Sequence, residues 1–230
     1  MSDEFQELKR TAGDTAAQAV QSGMVVGLGS GTTADFATKA VGRRLADGEI
    51  RNIICVPSSE KTARLARALH IPLTTLAEQP TLDIYIDGAD EIDPQLQLIK
   101  GLGGSLLREK IVATAANYVI IISDYRKLVT QLGARSPLPV EVIRFAQRPV
   151  NAYLESLGAR TIQRVKEGEI FITDEGNIIL DCYFDEIADA AQLAQAVRVQ
   201  PGVVEHGFFL NIADEAIIAM PDGIQRLQRP

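Results

Sequence analysis

Tryptophan is absent from this 230-residue sequence, and histidine and cysteine occur only twice each. Side chains so sparse cannot assemble a zinc site from its usual ligands. Cys55 and Cys182 lie in separate apolar runs and read as buried reduced thiols rather than a disulfide. No run approaches the roughly 18 consecutive apolar residues of a membrane helix, so no membrane partner is expected. A basic stretch is also missing: Lys+Arg is 23, Asp+Glu is 30 and the net charge is -7, which argues against a nucleic-acid partner. The first ten residues, MSDEFQELKR, are too acidic and polar for a signal or transit peptide, and the expected location is cytoplasmic. An acidic chain still admits a small anionic substrate, because local lysines and backbone dipoles can hold one. What remains is ordinary globular composition, 46% hydrophobic and 23% charged, enough for one large domain or a domain plus a small one.

The densest chemistry lies in residues 87–110, DGADEIDPQLQLIKGLGGSLLREK. This stretch follows the largely apolar run 82–86, which reads as a buried strand. Asp87 ends that strand, Gly88 permits a sharp turn, and Asp90, Glu91 and Asp93 follow. Three readings stand for the acidic group: a ligand site at a strand's carboxyl end, a solvated turn, or a cation site without EF-hand spacing. Residues 95–99 alternate like a short strand and deliver Lys100. Gly101 to Gly104 turn the chain, and Ser105 can cap a helix that carries Glu109 in its first turns. Taken alone, Glu109 reads as an exposed helix acid paired with Arg108 or Lys110.

Earlier residues supply a second feature. A helix is expected over 4–22, with Phe5, Leu8, Ala12, Ala16, Ala19 and Val20 near one face. An apolar strand at 24–28 leads into Gly29-Ser30-Gly31-Thr32-Thr33 and a helix over 34–45. Strand, glycine turn and helix aim backbone N–H groups at an anion. The glycines do not fit GxGxxG, Walker A is absent, and the next strand ends in Pro57-Ser58-Ser59 without an acid for a ribose. A phosphomonoester is therefore preferred to a dinucleotide, with a plain strand-to-helix turn as the alternative. His70 and His206 read as surface or turn residues.

Repeated β-α units to about residue 124 imply a parallel sheet. After Gly133 the order becomes strand 138–143, helix 149–157, strand 159–165, a hairpin of 170–173 with 177–182, helix 188–197 and strand 203–210. This is the ferredoxin-like order. A strand at 216–220 and a short tail at 223–227 return to the first domain. The fold class is α/β: a Rossmann-like parallel-sheet domain (1–132 with 211–230) and a second, smaller ferredoxin-like α+β domain (133–210). The smaller domain has no comparable polar cluster and reads as structural or as a subunit contact.

At these residues the chain resembles the type A ribose-5-phosphate isomerases. The motifs are GLGSGTTA at 27–34, PSSEKT at 57–62, YIDGADEID at 85–93, KGLGGSLLREK at 100–110, SDYRK at 123–127 and PLPVEV at 137–142. TDEGNIILD at 173–181 and PGVVEHGFF at 201–209 continue it over essentially the whole chain. The resemblance implies an aldose-ketose isomerase of the pentose phosphate pathway. It would interconvert D-ribose 5-phosphate and D-ribulose 5-phosphate through a cis-enediol(ate), without metal or other cofactor, as a homodimer.

It also puts the general base at Glu109, with Asp87, Asp90 and Lys100 as further catalytic residues. Substrate binding falls on Ser30, Gly31, Thr32, Thr33, Asp87, Gly88, Ala89, Asp90, Lys100, Gly101, Leu102, Gly103 and Lys127. Three departures stand out. Leu102 replaces a frequent glycine and would narrow the pocket floor, Ser30 and Thr32 exchange hydroxyl types, and Tyr125-Arg126 precede Lys127 in place of smaller residues. Two other classes compete with this reading. A sugar-phosphate sensor needs a DNA-binding module for which the first 22 residues are too few. A CoA-transferase with a glutamate nucleophile leaves Lys127 and the short phosphate loop less well explained.

Overall fold

The structure, a computed structural model, describes residues 3–229. Its elements begin α1 (Asp3–Ala17), β1 (Val25–Leu28), α2 (Ala34–Ala46), β2 (Ile54–Pro57), α3 (Glu60–Ala68), β3 (Ile84–Gly88), β4 (Glu91–Ile92), β5 (Leu98–Ile99), α4 (Leu106–Thr114) and β6 (Val119–Asp124). A 3₁₀ turn at Tyr125–Lys127 follows. Then come β7 (Leu138–Val142), α5 (Gln147–Ser156), β8 (Arg160–Gln163), β9 (Val165–Lys166), β10 (Glu169–Ile170), β11 (Ile178–Tyr183), α6 (Ala190–Arg198), β12 (Val203–His206), β13 (Phe208–Phe209), β14 (Glu215–Met220) and β15 (Gly223–Gln228). Two compact units result: residues 3–89, 108–127 and 211–229 form the first, and 90–107 with 128–210 the second.

The first unit is a six-stranded sheet in the order β15-β14-β6-β3-β1-β2. All neighbours are parallel except β15, which folds back on β14. Parallel strands covered on both faces read as unbroken apolar runs. β6 is the clearest case, buried at all six positions. Each fully buried isoleucine there contributes about 1.5–3 kcal/mol. Ala12, Ala16, Ala17 and Val20 join this core from α1 and the turn after it. Strand order reverses at β1, because the chain passes first to β2 on one side and later to β3 on the other. Loops leaving the carboxyl ends of β1 and β3 diverge there, and open α/β sheets bind ligands at such a point. Leu28 pairs with Ile86, so the next residues, Gly29 and Asp87, meet at the two strand tips.

The second unit holds an antiparallel sheet, β12-β7-β11-β8, with α5 and α6 between its strands in sequence. That order is ferredoxin-like. Val140, Val142, Val150, Leu154, Leu180 and Val197 belong to its core. Residues 90–107, which the sequence division assigns to the larger domain, belong with this unit. β5 pairs with β13, Ile99 opposite Phe208, and with β4.

Local readings change in four places. The first helix stops at Ala17, and the N–H groups of Gln18, Ala19 and Val20 turn to carbonyls three residues back, tightening the chain before β1. The turn at 173–177 forms, but the hairpin does not: β11 pairs with β7 and β8, and β10 pairs with β9 across Glu167-Gly168. Both of those residues have positive φ, 54° and 86°, as a tight primed turn requires. The expected tail is β15, whose mostly exposed side chains hide an edge strand from an apolar-pattern reading. His206 is buried on β12, edge-on to Phe208, rather than at the surface.

Candidate active site

Asp87 ends β3 and is fully buried. Its Oδ1 accepts the N–H of Ser30 (3.0 Å) and of Gly88 (2.7 Å), and its Oδ2 accepts the hydroxyl of Tyr85. Three donors on one carboxylate give it a single orientation at the tip of the strand. Tyr85 is itself buried, with Ser58 close to its hydroxyl. Burial, then the charges of Asp87 and Glu109, push the phenol well above its ordinary ionisation range, so it remains a donor. Gly29 makes this approach possible: a Cβ there would sit 2.3 Å from Asp87 Oδ1 and 2.5 Å from the Ile86 carbonyl oxygen.

Glu109 lies in the first turn of α4 and is 3% exposed. A helix N-terminus favours negative charge. Glu109 is buried rather than exposed as its sequence neighbours suggest, and Arg108 bonds Glu60 at 2.9 Å. Within the first unit, Tyr85 bonds Asp87 and lies within electrostatic reach of Glu109.

The turn after β1 makes a cationic, donor-rich end to the same unit. Among the described residues, the N–H groups of Thr32, Thr33 and Ala34 meet no protein acceptor. Lys9, from α1, donates to Thr32 Oγ1 at 2.8 Å and is only 7% exposed. Burial lowers its pKa; Asp124 opposes that shift, while Lys127 and Arg126 add to it. Lys127 therefore stands within electrostatic reach of Lys9. Arg126 bonds Asp124 through Nε (2.7 Å) and Nη2 (2.9 Å), so its fork is spent on a carboxylate. Burial alone would raise the Asp124 carboxyl, but these bonds outweigh it and hold it below its ordinary range. The Ser30 hydroxyl turns inward, donating to Ser59 Oγ (2.8 Å) and lying 2.9 Å from Ser58 Oγ.

Ala89 ends the first unit, and Asp90, Lys100, Gly101, Leu102 and Gly103 belong to the second. Asp90 Oδ2 accepts the Leu102 N–H at 2.9 Å. Lys100 is 3% exposed, its N–H bonds Gly207 O at 2.8 Å, and its ammonium lies 5.3 Å from the Phe209 ring centroid. The other two acids of the cluster hold turns. Glu91 is buried and accepts N–H groups of Gly133, Arg135 and Ser136, and Asp93 accepts those of Gln95 and Gln97. Leu102 is 41% exposed. Among the described residues no three His, Cys, Asp or Glu side chains cluster as metal ligands, and both cysteines are free and buried.

Two polar side chains of the first unit were missed in the sequence. Lys9 follows Phe5 by four residues and precedes Ala12 by three, so a lysine stands within the apolar stripe of α1. Tyr85 sits in an otherwise largely apolar run, yet a buried tyrosine hydroxyl needs a partner.

A family model described as ribose 5-phosphate isomerase A (phosphoriboisomerase A) matches residues 54–223. The chain belongs to this family. A ribose-5-phosphate isomerase A of Roseiflexus castenholzii is 52% identical over 223 residues, covering 96% of this chain and 95% of that protein. Another, from Synechococcus sp. (strain JA-3-3Ab), is 53% identical over 225 residues and 97% of each. Of solved isomerases, that from Plasmodium falciparum has a TM-score of 0.94 at 39% identity, covering 97% of this chain and 98% of that one. A D-ribose-5-phosphate isomerase in complex with phospho-erythronic acid has a TM-score of 0.96 at 37% identity over 100% of both chains. Membership of the isomerase A family makes the protein an isomerase, and its α/β fold with a parallel sheet is that of these structures. No helix among the described residues is long and apolar enough to cross a membrane.

Proposed function

We propose that this isomerase moves the C2 proton of acyclic D-ribose 5-phosphate to C1 with Glu109 as the single carrier, giving D-ribulose 5-phosphate through a cis-enediol(ate). The observation that carries the reading is a buried glutamate within electrostatic reach of Tyr85, the tyrosine that bonds Asp87 at the sheet's reversal point. The Glu109 carboxylate takes the proton from C2, and the electron pair flows into the C1–C2 bond and onto the carbonyl oxygen. The same carboxylic acid then returns the proton to C1. Such transfer is worth about 10²–10⁴ in rate. Lys100 neutralises the developing oxyanion, often the larger contribution. Asp87 opens the furanose and passes the hydroxyl proton, and Asp90 orders the loop after Lys100 through Leu102 N–H. The bound phospho-erythronic acid of the solved relative supports this reading. That ligand is a sugar-acid phosphate, and its planar carboxylate resembles an enediolate.

The phosphate is assigned to the turn at Gly31, Thr32 and Thr33, to Lys127, and to Lys9. Binding energy there holds the reacting carbons in place. Lys9→Met is expected to raise KM about 10- to 100-fold, the scale of one lost charge-assisted contact, with a smaller change in kcat. Because the lysine's pKa is lowered, its positive charge is present at low pH and is lost at a lower pH than for an exposed lysine. Affinity should therefore fade early on the alkaline side, and Lys9→Arg should carry it to higher pH; steady-state kinetics across pH measure both.

Incubation with ribose 5-phosphate in heavy water tests the reaction. Ketose formation with deuterium at C1 of the ketose or C2 of recovered aldose supports a proton-carrying base, and loss of both ketose and label in Glu109→Gln assigns it; ketose and label unchanged in that variant refute the assignment. A cytoplasmic homodimer completes the proposal. Exposed Ile162, Val165, Ile170, Ile172 and Tyr183 of the second unit support a contact with a second copy. Sedimentation velocity returning the mass of one chain would overturn it.

A further inference from the structure

The second unit looked chemically silent in the sequence, yet one of its arginines grips the backbone that follows Lys100. Arg164 lies between β8 and β9, and its main chain is pinned on both sides: its N–H bonds Ile179 O at 2.9 Å and its carbonyl accepts Phe171 N–H at 3.0 Å. The side chain is 11% exposed and pairs with Asp181 of β11, itself 14% exposed. Nε bonds Asp181 Oδ2 at 2.9 Å and Nη2 bonds Oδ1. The remaining terminal nitrogen, Nη1, donates to the carbonyls of Gly101 (2.7 Å) and Leu102 (3.1 Å).

We propose that Arg164, held by Asp181, is a positioning residue that sets the peptide planes of the substrate loop 100–103; this rests on the role given above to Lys100. Carbonyl and following N–H point in opposite directions across a trans peptide. Turning the Gly101 and Leu102 carbonyls toward Arg164 therefore turns the N–H groups of Leu102 and Gly103 away from it. The first reaches Asp90 Oδ2. The second meets no protein acceptor among the described residues, and the space about Gly103 is open, with nothing within 4 Å of a Cβ placed there. Gly101 adopts φ of 108°, a conformation that a side-chain-bearing residue rarely takes, and the brace keeps this loosely restrained residue in place. Only a planar fork spans a carboxylate and two carbonyls at once; a lysine ammonium cannot.

The test uses full-length Arg164→Lys, Arg164→Gln and Asp181→Asn, assayed where circular dichroism shows each fully folded. Hydrogen–deuterium exchange is followed on peptides covering 98–107. Displacements near 1 Å can cost about 10²-fold, so kcat for ribose 5-phosphate should fall about tenfold or more in both Arg164 variants, with KM within about threefold. Exchange at 101–104 should quicken while β7 and β11 stay protected. Wild-type kcat in folded Arg164→Lys would overturn the proposal. So would exchange that quickens evenly over the second unit, with activity merely tracking Tm. Lys100→Met is run beside them: wild-type turnover in that variant removes the role of Lys100, whereas the exchange pattern still reports whether the brace exists.

Discussion

Glu109→Gln should lose turnover by about 10²- to 10⁴-fold while still binding ribose 5-phosphate. Glutamine keeps the length and shape of the side chain on α4 but cannot take up a proton at neutral pH. The buried site should tolerate it, because the substitution removes a charge from a residue only 3% exposed and adds no bulk. Calorimetric titration with the sugar phosphate and a coupled ketose assay separate the two effects. Near-wild-type kcat would remove Glu109 as proton carrier. Loss of binding together with activity would make it a structural residue.

Gly29→Ala carries the second large effect. The new methyl would come within 2.5 Å of the Ile86 carbonyl oxygen and closer still to the Asp87 carboxylate, well inside van der Waals contact. Neither group can step aside freely. Ile86 O accepts Gly29 N–H at 2.9 Å, and Asp87 is held by Ser30, Gly88 and Tyr85. Overpacking of this kind costs about 1–3 kcal/mol, which at this chain length lowers Tm by about 2–4 °C per kcal/mol. Activity should fall further than stability, by about 10²-fold, because the displaced group is the carboxylate proposed to open the furanose. Differential scanning calorimetry and kcat on one preparation decide it: unchanged values for both would show that the strand tips are free to part.

Much of the first unit was readable because its physics is local. Continuous apolar runs gave the parallel strands, and the glycine turn after β1 announced a place where backbone N–H groups lie open. Asp87 was legible as the first polar residue after such a run. Lys9 was not, because its burial depends on Thr32, 23 residues away in sequence, and α1 was read only for its apolar positions. Glu91 and Asp93 looked equivalent to Asp90, since nothing local distinguishes a carboxylate that ties down residues 133–136 from one that faces a loop. Arg164 was invisible for the same reason. Its partners, Gly101 and Asp181, lie far away in opposite directions along the chain.

The position of β14 has a consequence for how the molecule is made. It pairs with β6 along Glu215–Ala219, and α1 packs on both strands, yet it is encoded after the whole of the second unit. A polypeptide emerging from the ribosome must therefore carry Val119–Asp124, a strand buried at every position in the finished fold, with one edge unpaired until residue 219 is released. Unpaired apolar edges recruit one another. Truncation before that point should yield precipitate rather than a smaller working enzyme, and holding chaperones should matter most during that interval of synthesis.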